Sequence, residues 1–217
     1  MRVKICGITQ LEQANAIAQL GATALGFICV EKSRRYLPPD EIVSITKYLN
    51  SDISCIGVFA NTELSDIIAI VKQANLTGIQ LHGQESPAFC EKLRSRLPQV
   101  ELIKAIAVKN ADSLIQTERY APWVDAFLLD AYDPKKLGGT GKSFNWEYLQ
   151  DFTPPRPWLL AGGLTPNNVQ QALATAKPSG IDLSSGVEKS PGDKDLNLVA
   201  ELFQALKASV SQVEGSH

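Results

Sequence analysis

The sequence predicts an α/β chain of the (β/α)8-barrel class, also called a TIM barrel, and three observations carry that expectation. Eight short apolar runs rich in β-branched residues alternate with amphipathic segments. Their midpoints recur roughly every 20 to 32 residues, the length of one strand–helix unit with short loops. The 217 residues are enough for a full core and sit near the lower end for eight such units. No GxGxxG follows the first run, where a dinucleotide-binding sheet would need it, and a flavodoxin-like sheet would use only about five strands.

The elements follow in order. The first strand is expected at Val3–Cys6, and Thr9-Gln10-Leu11-Glu12 after it is a capping-box pattern that would open a helix. The second strand is expected at Ala24–Val30 and the third at Ser54–Phe59. Leu64, Ile67, Ile68 and Val71 then form an i, i+3, i+4, i+7 stripe, the mark of a helix facing a sheet. The fourth strand, Gly78–Leu81, precedes Ser86-Pro87, a hydroxyl N-cap followed by proline at the first helical position. Glu101–Ala107, Ala126–Asp130 and Trp158–Ala161 follow, and Thr165-Pro166 repeats the hydroxyl–proline start. Ile181–Ser184 completes the eight. No linker, charge block or low-complexity tract divides the chain, so residues 1–210 are expected to form one domain and 211–217 a frayed tail.

Composition narrows the function. The formal net charge of −2 and scattered basic residues argue against a nucleic-acid partner. The four cysteines, at positions 6, 29, 55 and 90, show no CxxC spacing, and one of the two histidines is His217, so no metal site is expected. Cysteines within or beside apolar stretches fit a reduced, cytoplasmic protein. MRVKICGIT reads as a strand instead of a signal peptide, and no apolar run approaches the roughly 18 to 20 residues that cross a bilayer. No membrane is expected, no binding partner follows from charge alone, and a monomer is preferred to a homodimer.

In barrels of this class the active site lies at the C-terminal ends of the strands. Cys6 ends the first strand beside Gly7; it is either a small buried hydrophobe or a reactive thiol. Asp130 ends the sixth and is either a loop anchor or a functional carboxylate. The stretch Ala131 to Ser143, with Gly138, Gly139 and Gly141, suggests a flexible cover over a ligand. Its GGTGKS run is not a phosphate-binding P-loop, because that pattern needs glycine where Lys136 stands. Gly162 and Gly163 after strand seven, and Ser184, Ser185 and Gly186 after strand eight, offer an anion cradle of backbone N–H groups, helped by a short helix after strand eight. Arg34 and Arg35 are either a solvated pair or a grip for a carboxylate. His82, ending strand four, is a base, a ligand contact or a loop-fixing donor. Asp182 points inward near a ligand, or pairs with Lys4, which shares the strand parity of Cys6.

Together KICGIT (4–9), SRRY (33–36), QLHG (80–83), Phe127-Leu128-Leu129-Asp130, GGTGKSFNW, AGGL and IDLSSGVEKSPGDKD resemble the phosphoribosylanthranilate isomerase family over nearly the whole chain. Phe127 departs from the family's triple leucine and leaves the aspartate in place. The resemblance implies a cofactor-free Amadori rearrangement of a phosphosugar–anthranilate substrate in tryptophan biosynthesis. It implies Cys6 as general base, Asp130 as general acid, Arg35 on the anthranilate carboxylate, and Gly162, Gly163, Ser184, Ser185 and Gly186 around the phosphate. Asp182 would lie near the sugar, and His82, from its own place at the end of strand four, is taken as a substrate contact. Two other readings are another phosphosugar barrel enzyme and a catalytically silent barrel that only binds a phosphorylated metabolite. Metal-dependent epimerases need the clustered histidines this chain lacks, and histidine-pathway isomerases would place an aspartate where Cys6 stands.

Overall fold

The computed structural model describes residues 1–130, 146–149 and 152–214. Eight parallel strands close a barrel in sequence order: β1 Arg2–Cys6, β2 Ala24–Ile28, β3 Ser54–Phe59, β4 Gly78–Leu81, β5 Glu101–Ala107, β6 Ala126–Asp130, β7 Trp158–Ala161 and β8 Gly180–Leu183. Five of these match the expected bounds, and three shift at their ends. β1 and β8 each begin one residue earlier because Arg2 pairs with Gly180 across the seam that closes the barrel. β2 stops at Ile28, because the returning loop places the Leu37 N–H on the Ile28 carbonyl. That turn aims Ser33 and Arg35 at the barrel mouth.

Helices α1 Leu11–Leu20, α2 Pro39–Thr46, α3 Leu64–Gln73, α4 Pro87–Arg96, α5 Gln116–Tyr120, α6 Val169–Ala176 and α7 Leu196–Glu214 surround the strands. Between β6 and β7 the described residues hold only the 3-10 turn Trp146–Leu149, with Trp146 and Leu149 buried. The backbone of α7 continues to Glu214, past the expected boundary at 210. The glycine-rich stretch Ala131–Ser143 lies outside the described residues.

The helix signals fared unevenly. Ser86 caps α4, accepting from the Phe89 N–H, with Pro87 at the first position. Ile67 and Val71 of α3 are buried, and Leu64 and Ile68 pack against the core at the margin of the same stripe. Thr9 and Glu12 form no capping box: α1 begins after Gln10, which makes no side-chain cap bond, and the Thr9 hydroxyl donates to the Gly192 carbonyl. α6 begins at Val169, not at Pro166; Thr165 donates its N–H to the Asn168 side chain in a turn before it.

Alternation along the strands divides the core in two. Val3, Ile5, Leu25 and Phe27 face the helices in the larger cluster. Ala24, Ile56, Ile103, Ala105, Ala126, Leu128, Leu159 and Ala161 fill the barrel interior. That interior also contains charge: Lys4 is fully buried and its ammonium donates to Asp182 Oδ1 at 2.9 Å. Beyond β8 the short antiparallel hairpin β9 Glu188–Ser190 and β10 Asp193–Lys194 folds back over the end of β1.

Candidate active site

One pocket opens at the C-terminal ends of the strands, and it is lined by Cys6, Arg35, His82, Asp130, Asp182 and by both glycine-bearing turns, Gly162-Gly163 and Ser184-Ser185-Gly186. Each side chain is there for a local reason. Cys6 and Asp130 are the last residues of β1 and β6, so strand parity turns them toward the axis at the mouth. Gly7 follows Cys6 with φ +80°, and a Cβ there would lie 2.7 Å from Cδ of Arg35, so the glycine is what lets that arginine cross the end of β1.

Arg34 and Arg35 part company. Arg34 is exposed, whereas Arg35 lines the pocket. Arg35 is held by Glu188, with Nε 2.9 Å from Oε1 and Nη2 2.6 Å from Oε2. Nη1 donates to none of the described residues, so one corner of the guanidinium remains for an anionic ligand. The Glu188 hydrogen bond raises the Arg35 pKa further. Glu188 also accepts from Lys194 Nζ at 2.7 Å, and the buried Lys194 ammonium donates to the Cys6 carbonyl at 2.6 Å. Burial alone would push the Glu188 carboxyl up, but the bonds from Arg35 and Lys194 outweigh it and hold its pKa below the usual carboxylate range. Burial lowers the pKa of Lys194 itself.

On the opposite wall His82 Nε2 stands 3.5 Å from Asp130 Oδ2. Its other nitrogen, Nδ1, lies 3.0 Å from Nε2 of the buried Gln80. With the amide nitrogen as donor, Nδ1 accepts and the ring proton sits on Nε2, facing Asp130. The loop carrying His82 is pinned from below. Glu85 accepts from the Gly83 and Asn61 N–H groups and from the buried Lys104 ammonium at 3.0 Å.

The two glycine-bearing turns meet. A Cβ on Gly186 would sit 1.8 Å from the Leu164 carbonyl oxygen, so the loop after β8 lies directly on the loop after β7. Gly162 and Gly163 both take positive φ, 93° and 65°. No described residue accepts from the N–H groups of Gly163, Ser184, Ser185 or Gly186. The expected short helix after β8 is a single 3-10 turn, Ser185–Val187. This is the arrangement of donors that an anion needs.

Among the described residues no three His, Cys, Asp or Glu side chains group as metal ligands, and no helix is long and apolar enough to cross a membrane. The sequence reading did not find Glu188, Lys194 or Gln80. Lys194 and Glu188 lie in a stretch whose hairpin has only five residues in its strands, and a buried lysine looks like a surface one in sequence. Gln80 had one available signal, a polar residue at an inward position two before His82.

Comparison with known proteins identifies the family. Residues 3–205 match the family model for N-(5'-phosphoribosyl)anthranilate (PRA) isomerase. N-(5'-phosphoribosyl)anthranilate isomerase of Rippkaea orientalis is 58% identical over 207 residues, 95% of this chain and 96% of that one. The protein of the same name from Crocosphaera subtropica is 56% identical, over 95% and 99% of the two chains. The crystal structure of phosphoribosyl anthranilate isomerase from Thermotoga maritima superposes with TM-score 0.88 at 36% identity, covering 96% of this chain and 99% of the other. A second crystal structure, of the enzyme with reduced 1-(o-carboxyphenylamino)-1-deoxyribulose 5-phosphate, gives TM-score 0.83 at 34% identity over the same shares. With the barrel and nearly the full length in common, the chain belongs to the N-(5'-phosphoribosyl)anthranilate isomerase family.

Proposed function

We infer that the chain is an aldose–ketose isomerase of tryptophan biosynthesis, converting N-(5'-phosphoribosyl)anthranilate to 1-(2-carboxyphenylamino)-1-deoxyribulose 5-phosphate. The observation that carries the assignment of roles is the convergence of a thiol, a carboxylate, an arginine and two donor-bearing turns on one pocket. In this reading Asp130, protonated, gives its proton to the furanose ring oxygen as the C1–O bond breaks and the anilino nitrogen forms C1=N. Cys6 as thiolate takes the proton from C2, and those electrons move through C1 to the nitrogen. The resulting enaminol becomes a ketone at C2 as C1 takes a proton back from the Cys6 thiol and the C2 hydroxyl gives up its own proton, which restores the acid form of Asp130. The substrate nitrogen is the electron sink, so the reading requires no cofactor, and each positioned acid or base would contribute about 10²–10⁴-fold.

Arg35 would hold the anthranilate carboxylate through its uncommitted Nη1, and Gly162, Gly163, Ser184, Ser185 and Gly186 would surround the phosphate. His82 would orient Asp130, and Asp182 would lie near the sugar. A single domain, a monomer and a cytoplasmic location complete the proposal. The four buried free cysteines fit a reducing compartment, and sedimentation of the purified protein tests the monomer, since one solved relative from Thermotoga maritima is described as dimeric.

The test is turnover of freshly generated phosphoribosylanthranilate by the purified chain, followed by loss of anthranilate fluorescence. Binding without turnover would leave a silent metabolite-binding barrel. Activity should persist after exhaustive chelation, and restoration of a chelator-inhibited enzyme by one divalent metal would contradict the cofactor-free reading.

A further inference from the structure

Two residues below the Cys6 thiol on the same strand, Lys4 fills part of the barrel interior with a fully buried ammonium. A lysine there is costly to keep charged unless it is paired and hydrogen-bonded. Asp182 holds it at 2.9 Å from the facing position of β8. The neighbouring strand makes room for it. Gly26 of β2 pairs with Cys6, and a Cβ at that glycine would stand 2.6 Å from the Cys6 sulfur and 3.0 Å from the Lys4 nitrogen. Sulfur and ammonium therefore crowd the same side-chain-free space, where any other residue would push one of them away. This space is the independent sign that the ammonium and the thiol are meant to be neighbours.

We propose that Lys4 is a positioning residue for the Cys6 base: its buried ammonium, anchored by Asp182 in the space left by Gly26, keeps the thiolate of Cys6 available for proton abstraction. The inference rests on the reading of Cys6 as base given above. Other charged and titratable groups face this thiol. Asp182 comes from β8, Lys194 from β10, Arg35 and Cys29 from the loop after β2, and His82 and Asp130 from across the pocket. Burial pushes the Cys6 thiol up, and the charge of Lys4 is the largest influence in the opposite direction, ahead of Lys194, while Asp182 works against it. Burial lowers the Lys4 pKa, but the charges and hydrogen bonds of Asp182 and Cys6 together outweigh it, so its pKa is raised and it stays an ammonium. Lys194 bonds the Cys6 carbonyl and is committed to Glu188, so it is the weaker candidate for the same task.

The experiment titrates Cys6 directly, through the ultraviolet absorbance of its thiolate, taken as the difference between each protein and the same protein carrying Cys6→Ala. Lys4→Met removes the ammonium with little change in length. The double variant Lys4→Met/Asp182→Asn removes the whole ion pair, so that no lone buried carboxylate threatens the fold. In Lys4→Met the thiolate midpoint should rise by about one pH unit or more, a tenfold loss of thiolate at any pH below the midpoint, and in the double variant, which also removes the opposing Asp182 carboxylate, it should rise by less. In Lys4→Met the rising limb of kcat/KM should move to higher pH by the same amount, so that the deficit shrinks as pH increases. An unchanged midpoint in either folded variant would overturn the proposal. That outcome is distinct from failure of Cys6 as base, which near-parental turnover by Cys6→Ala would reveal whatever the titration shows.

Discussion

In the proposed reaction Cys6 and Asp130 handle the two halves of one proton movement, and both stand at strand ends facing one pocket. Cys6→Ala and Asp130→Asn should each lower kcat by about 10²-fold or more while KM stays within several-fold, as expected of groups acting mainly in the transition state. Stopped initial-rate kinetics on folded variants decide it, and near-parental kcat in Cys6→Ala would return that residue to packing. Arg35→Ala should act differently. The carboxylate it would bind carries similar charge before and during reaction, so KM should rise more than kcat falls. It should also lower the melting temperature, since among the described residues Glu188 would keep only Lys194 and the Gly192 N–H. We expect a loss of about 1–2 kcal/mol, discounted because Arg35 remains partly exposed. Identities at strand ends were readable in the sequence, because parity and the barrel's polarity fix where such residues point. Partnerships were not. Arg35 and Glu188 are 153 residues apart, and nothing local in SRRY announces a carboxylate beside it.

At the scale of elements, strands were more legible than helix starts. A strand buried on both faces is an apolar run with sharp ends, and β3 to β7 kept the expected bounds. A helix start depends on which of several nearby donors a hydroxyl meets, and that is decided by tertiary contacts. Ser86 met the Phe89 N–H of its own helix; Thr9 was taken by Gly192 of the β9–β10 hairpin. The difference is measurable by amide hydrogen exchange. Ser86→Ala should cost about 1 kcal/mol and speed exchange in the first turn of α4. Thr9→Val should speed exchange in the hairpin over residues 188–194 and leave the first turn of α1 as it was. Faster exchange confined to α1 would restore the capping role.

At the scale of the whole molecule, the barrel is closed by polar contacts between its first and last parts. Lys4 meets Asp182, Thr9 meets Gly192, Gln13 bonds Asp193 and the Lys194 backbone, and Lys194 reaches the Cys6 carbonyl. Glu188 is the acid-sensitive member of this seam. Its folded pKa lies below its unfolded value, so its contribution is full above the unfolded value of about 4.3 and is lost as pH falls through the folded one. Melting temperature should therefore drop on acidification below about pH 4, and Glu188→Gln should be less stable at neutral pH with a shallower drop. An equally steep drop in that variant would assign the acid loss to other carboxylates. The seam also sets an order of events during synthesis. Of the barrel strands the ribosome makes β1 first and β8 last, so a growing chain holds the proposed base long before it has the turn proposed to seat the phosphate. Emergence of Lys194, whose ammonium bonds the Cys6 carbonyl, joins the two, and in the proposed reaction turnover would wait for the finished ring.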